Sequence, residues 1–240
     1  MKKPLDAVLF DIDDTLFSTS VFADKARNAA VEAMIAAGLR ADRATAKREL
    51  DEVIAEFSSN YGGHFDKVID RLGPESVEGH NRAVIVAAGV VAYHGTKGRE
   101  LKADEGVNEV LKWLATTRLV RGIVSAGITI KQAEKLVRLK VLEFLTPSAI
   151  FFTDQVGFSK PNPKLYRRVL QRLKLEPQRC LYVGDNPTHD IDPCNREGWW
   201  TVRIRSGGRH ADEEGATVPT HEIRDFRELR RILQDHYDVA

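Results

Sequence analysis

Ala7-Val8-Leu9-Phe10-Asp11-Ile12-Asp13-Asp14-Thr15-Leu16 opens with a short apolar run and breaks, at residue 11, into carboxylates. The run reads as a buried strand, so the aspartates emerge where that strand ends. In extended backbone alternate side chains share a side. Asp11 and Asp13 are therefore expected to face one space, with Asp14 pointing away. Two carboxylates aimed into one pocket repel each other and invite a cation or a shared proton. The plainer alternative is turn and cap chemistry, in which Asp13 or Asp14 caps the helix that follows. For Asp14 capping is the preferred reading.

Outward from this stretch the texture changes twice. Residues 21–37 are expected as an amphipathic helix closed by Gly38, and 42–57, 65–72 and 81–93 as three more helices. No good strand appears among them. From residue 101 helices over 106–116, 129–141, 163–173 and 226–234 alternate with strands over 119–124, 149–152, 180–183 and 201–204. Such alternation implies a parallel sheet covered on both faces. The first strand, residues 5–10, must join that sheet, because a lone strand cannot pair with helices. The fold class is α/β: a Rossmann-like parallel sheet with helices on both faces, built from residues 1–17 and 100–240. Residues 18–99 form an all-helical insertion, expected to hinge near 17–20 and 95–100. Residues 207–219 read as a polar surface loop.

Composition narrows the function classes. Hydrophobic residues at 42% suffice for a sizeable core. Lys and Arg total 36 against 35 Asp and Glu, so there is no electrostatic case for nucleic acid or an anionic membrane. Lys2 and Lys3 precede no apolar signal region, and no run approaches the roughly 18 residues of a membrane span. A cytoplasmic monomer is the expectation. Cys180 and Cys194 read as buried, free thiols.

In open parallel sheets ligands sit outside the carboxyl ends of the strands. Four of the expected strands carry polar residues there. The first gives Asp11 and Asp13, and the second gives Ser125-Ala126-Gly127. Ser159-Lys160-Pro161-Asn162-Pro163 follows the third, and Gly184-Asp185-Asn186-Pro187-Thr188-His189-Asp190 ends the fourth. One crevice would then hold four carboxylates, a hydroxyl and a lysine. That inventory suits phosphoryl transfer through an aspartyl phosphate, with one carboxylate attacking, another moving protons and the rest holding a hard divalent cation.

These residues resemble the haloacid dehalogenase superfamily, in its phosphatase branch with a helical cap inserted after the first motif. Asp11-Ile12-Asp13-Asp14-Thr15 is similar to the family's Asp-x-Asp-x-Thr motif. Ser125 falls at the second motif, Lys160 at the third, and Gly184-Asp185 with Asp190 at the acidic fourth. The resemblance implies a phosphatase acting on a small phosphorylated metabolite, with residues 18–99 as the cap. It implies Asp11 as nucleophile, and Asp13 as the acid for the leaving oxygen and then the base for water. Ser125 and Lys160 would hold the phosphoryl group. Mg²⁺ would be bound by Asp11, the main-chain carbonyl of Asp13 and Asp185, with Asp190 acting through water or by orienting neighbours. The dehalogenases that named the superfamily lack an Asp at the position of Asp13; an alkoxide leaving group needs that acid and a halide does not.

Bland readings stand beside these. Ser125 alone would be a turn residue, Lys160 a solvated side chain and Asp190 a first-turn carboxylate. His189 is expected at the surface or behind a ligand. Trp199 and Trp200 are expected in core and edge packing, and Arg203, Arg205 and Arg209 on a solvated rim. Ser18, Thr19, Tyr61, His64, Lys67 and Arg71 are the polar residues that could serve substrate selection. The alternatives in function are a phosphomutase or 2-haloacid dehalogenase of the same fold, or a phosphate-binding module without turnover.

Overall fold

The structure, a computed structural model, describes residues 2–58, 61–104, 106–205 and 207–239. Its strands are β1 (Lys3–Pro4), β2 (Ala7–Phe10), β3 (Val120–Ser125), β4 (Ile150–Phe152), β5 (Cys180–Gly184), β6 (Trp200–Ile204), β7 (His221–Ile223) and β8 (Tyr237–Asp238). Six of them form one parallel sheet in the order β4-β3-β2-β5-β6-β7, while β1 and β8 pair separately. β2 lies between β3 and β5, with Phe10 opposite Ile123 on one side and Val183 on the other. Every residue of β2 and β5 is buried. This is why they read as continuous apolar runs: a parallel sheet has no solvent face to alternate toward. Burying a side chain such as Phe10 is worth about 1.5–3 kcal/mol, so the strand end that carries Asp11 is firmly placed.

The helices are α1 (Thr19–Ala36), α2 (Arg43–Phe57), α3 (His64–Leu72), α4 (Arg82–Glu100), α5 (Val107–Leu114), α6 (Thr129–Leu139), the single turn α7 (Thr153–Val156), α8 (Pro163–Leu173), α9 (Asp192–Arg196) and α10 (Arg227–His236). Residues 1–20 and 102–240 make one compact unit and residues 21–101 another. The first has the parallel sheet with its helices. On one face of the sheet Leu9, Val124, Phe151, Tyr166, Tyr182 and Trp199 share a core. The second unit is helical, with its own core of Val31, Met34, Leu50, Val53, Val68, Ile69 and Ile85. Asp42 caps α2 by accepting from Thr45 N (2.9 Å), and Asn81 caps α4 by accepting from Ala83 N (2.9 Å).

Several expectations need correction. α4 does not stop at Tyr93 but runs on to Glu100, so the hinge expected at 95–100 is helical backbone. A glycine such as Gly95 costs a helix only about 1 kcal/mol, and Lys97 and Arg99 suit the negative end of the helix dipole. β7 was not foreseen, since three residues show too little alternation to register. Arg203 is not on a solvated rim. It is 1% exposed, its guanidinium donating to the carbonyls of His210 (2.9 Å), Glu213 (2.5 Å) and Asp185 (3.4 Å). Trp199 is core, Trp200 carries the Lys3 ammonium 3.7 Å from its ring centroid, and both cysteines are free and buried. Among the described residues no helix is long and apolar enough to cross a membrane.

Candidate active site

Asp11 follows β2 directly, and its N–H continues the ladder by donating to Val183 O (2.9 Å). Asp185 follows β5 directly. Beyond it Asn186 caps a single π-type turn, Pro187–Ile191, accepting from Thr188 N (3.0 Å) and His189 N (2.9 Å). That turn folds Asp190 back over the strand end, where Asn186 N donates to its Oδ2 (3.1 Å). Gly184 makes the fold-back possible, because a Cβ there would fall 2.5 Å from Asp190 Oδ2. Wide turns of this kind recur at functional sites.

The result is a dense buried charge cluster. Asp11, Asp185 and Asp190 each present an oxygen within 4.8 Å of the others. Lys160, three residues before α8 begins at Pro163, is the ammonium that answers them: Nζ lies 2.7 Å from Asp11 Oδ1 and 2.6 Å from Asp190 Oδ1. Burial works against its charge, but the Asp11 and Asp190 carboxylates outweigh burial and hold its pKa above the ordinary lysine range. Burial also pushes Asp11 upward, opposed by Lys160 and reinforced by Asp190 and Asp13. Burial, and then the carboxylates of Asp190, Asp11 and Asp14, push Asp185 up to about 8. Three carboxylates face one ammonium, an imbalance that a divalent cation would relieve. The side-chain donors are all oxygen, which suits a hard ion such as Mg²⁺.

Asp13 is not one of that trio, though its charge acts on Asp11. Its carboxylate is held by Lys135 Nζ (2.6 Å to each oxygen), Gln132 Nε2 (3.2 Å) and Thr19 Oγ1 (3.2 Å). Ser125 ends β3, the strand beside β2, and is buried. Asp14 takes a left-handed conformation, φ 53°, and its Oδ1 accepts from Thr19 N (2.8 Å) at the start of α1. That is capping geometry, and Asp tolerates it because its short polar side chain bonds locally. His189 is exposed. Asp192, two residues past Asp190, is spent on Ala216 N, Thr217 N and Thr217 Oγ1.

Of the residues considered for substrate selection, Thr19 reaches Asp13 and Ser18 N donates to Asp104 Oδ1 (3.1 Å). The others have partners within the helical unit. Tyr61 stacks on Phe57 (5.0 Å), and His64 Nε2 lies 2.8 Å from Ser58 O. Arg71 pairs with Glu56 (2.6 Å) and Lys67 with Asp70 (3.7 Å). Sequence reasoning missed Lys135 and Gln132. The available signal was their spacing of three on the helix after Ser125, which puts them on one face.

Comparison with known proteins adds independent findings. A family model described as haloacid dehalogenase-like hydrolase matches residues 5–198. The glyceraldehyde 3-phosphate phosphatase of Methanopyrus kandleri is 39% identical over 236 residues, covering 96% of this chain and 98% of that protein. The protein of the same name from Methanocaldococcus jannaschii is 33% identical over 231 residues, covering 96% and 98%. The crystal structure of an HAD phosphatase from Thermococcus onnurineus covers 98% of this chain and 100% of its own, with a TM-score of 0.66 at 23% identity, a likeness of fold.

Proposed function

The chain belongs to the haloacid dehalogenase-like hydrolase family as a hydrolase of phosphomonoesters, and we propose that it cleaves a triose phosphate, glyceraldehyde 3-phosphate, through a phosphoaspartate on Asp11. The observation that carries the mechanism is the buried trio of Asp11, Asp185 and Asp190 around the Lys160 ammonium. The names of the relatives support the substrate. Residues 18–99 enter the proposal as the cap, the unit that selects the leaving group, and residues 1–17 with 100–240 as the core that performs the transfer.

In the first step an Asp11 oxygen bonds to phosphorus as the ester P–O bond breaks, and the departing alkoxide takes the proton of Asp13. In the second, the Asp13 carboxylate withdraws a proton from water as that water attacks phosphorus and the bond to Asp11 breaks. Inorganic phosphate leaves and Asp13 is protonated again. Ser125 and Lys160 hold the phosphoryl oxygens through these steps. Asp11, Asp185, the main-chain carbonyl of Asp13 and Asp190, directly or through water, would hold Mg²⁺, which when bound offsets charge on the nucleophile and the phosphoryl group.

Phosphate release from a panel of sugar phosphates, triose phosphates, phosphoglycolate and nucleotides tests the substrate. Glyceraldehyde 3-phosphate should exceed the other esters in kcat/KM by about tenfold or more, a discrimination of roughly 1.4 kcal/mol. A nucleotide at the head of the panel would sink the assignment. Chelation should abolish turnover and Mg²⁺ restore it. The proton on Asp185 must leave for the ion to bind, so apparent Mg²⁺ affinity, read by calorimetry, should rise with pH up to about 8. Affinity that is flat between about pH 6 and 8 would count against Asp185 as a ligand.

A further inference from the structure

The chemistry above gives Lys135 no part, yet it makes some of the shortest charged contacts in the sheet-bearing unit. Its Nζ lies 2.6 Å from both oxygens of Asp13, and its side chain is only 18% exposed. Gln132, one turn earlier on α6, completes the grip. Its amide nitrogen donates to Asp13 Oδ2 (3.2 Å) and to the carbonyl of Ala126 (2.8 Å), tying Asp13 to the residue after Ser125. The intervening loop is shaped for it: Gly127 has φ 130°, and a Cβ there would stand 2.6 Å from Gln132 Nε2. Thr19 Oγ1 donates to Oδ1. Each oxygen of Asp13 thus meets two donors, on a side chain that would otherwise sample several rotamers. The two acidic functions have separate cationic anchors, Lys160 for Asp11 and Asp190, Lys135 for Asp13.

We propose that Lys135, with Gln132 beside it, is the positioning residue for Asp13, fixing its carboxyl group where the leaving oxygen departs. The inference rests on the phosphoaspartate reading above and deepens it. While Asp13 carries its proton on one oxygen, Lys135 keeps hold of the other. Loss of the clamp frees the group to rotate, and misplacement of an acid is felt most when the leaving oxygen is strongly basic.

That dependence supplies a test that a merely structural role would not move. Wild type, Lys135→Met, Lys135→Arg, Gln132→Leu and Asp13→Asn are assayed as full chains with Mg²⁺ on glyceraldehyde 3-phosphate and on 4-nitrophenyl phosphate, whose phenolate needs little proton. The ratio kcat/KM ends at phosphoryl transfer to Asp11 and is blind to the later hydrolysis. Lys135→Met should lower kcat/KM for the triose phosphate by about 10- to 100-fold and for the aryl ester by less than about threefold. Lys135→Arg should recover to within about threefold of wild type, and Gln132→Leu should show the same selectivity at smaller size. Retained aryl turnover doubles as the control for folding. Equal losses on both esters, or none, while Asp13→Asn is selective for the triose phosphate, overturn the positioning role and leave the mechanism standing. Equal losses on both esters in Asp13→Asn overturn the acid role of Asp13, and this inference with it.

Discussion

Asp11→Asn should lower turnover by about 10⁴-fold or more without loss of stability, the magnitude being that of removing a covalent nucleophile. An amide cannot form the acyl phosphate, while its shape is nearly that of the carboxylate. Stability should hold because the substitution removes one charge from a cluster where three carboxylates face a single ammonium. Lys160 keeps its 2.6 Å contact to Asp190, so no buried cation is stranded. Asp11 is also a group that burial pushes away from its charged form, so the neutral amide relieves a cost. Phosphate release, thermal melts in chelator and hydroxylamine-sensitive labelling by substrate separate these effects. Wild type should carry the label and the variant should not. A folded variant that retains a tenth of wild-type turnover would remove the covalent route.

Much of the sheet was legible because parallel strands covered on both faces need near-continuous apolar runs, and Ala7–Phe10 and Cys180–Gly184 supply them. The family was legible because four polar clusters follow strands in order, and the match over residues 5–198 bears that reading out. What the sequence could not show is that Asp13 is held by Lys135 outside the acidic trio of Asp11, Asp185 and Asp190. Period-two alternation places Asp11 and Asp13 on one side only while the backbone stays extended. The strand ends at Phe10, Leu16 N closes a turn on Ile12 O (3.0 Å), and Asp14 is left-handed, so alternation stops deciding direction after Asp11. Lys135 and Arg203 were invisible for a related reason. A lysine or arginine reads as a solvated cation until folding brings its acceptors: Asp13 lies far from Lys135 in the chain, and Arg203 meets backbone carbonyls, which no residue type marks. The end of α4 was misplaced because a glycine in a helix lowers propensity without forbidding the turn.

Lys160→Met should be the most destabilising of these substitutions, costing the metal-free protein about 3–5 kcal/mol, the usual penalty for removing one partner of a buried ion pair. The methionine fills similar space, so the loss is electrostatic rather than a cavity. It leaves Asp11, Asp185 and Asp190 within 4.8 Å of one another with no cation among them. The sign of the pH dependence follows. Asp185 holds its proton in the folded protein to about pH 8, against an ordinary value of 3.8. The folded state therefore binds more protons than the unfolded chain between those limits, and stability falls as pH rises through them. Removing Lys160 takes away the cation that draws Asp11 and Asp185 toward ionisation, so the penalty should be larger near pH 8 than near pH 5. Mg²⁺ should recover a large part of the stability, because an ion that binds only the folded cluster shifts the equilibrium by mass action. Activity should stay low even so, since the ion cannot replace the contact proposed for Lys160 with the phosphoryl oxygens. Denaturant melts at the two pH values, with chelator and with Mg²⁺, read all of this. A variant as stable as wild type in chelator at both would show that Lys160 does not carry the charge balance of the site.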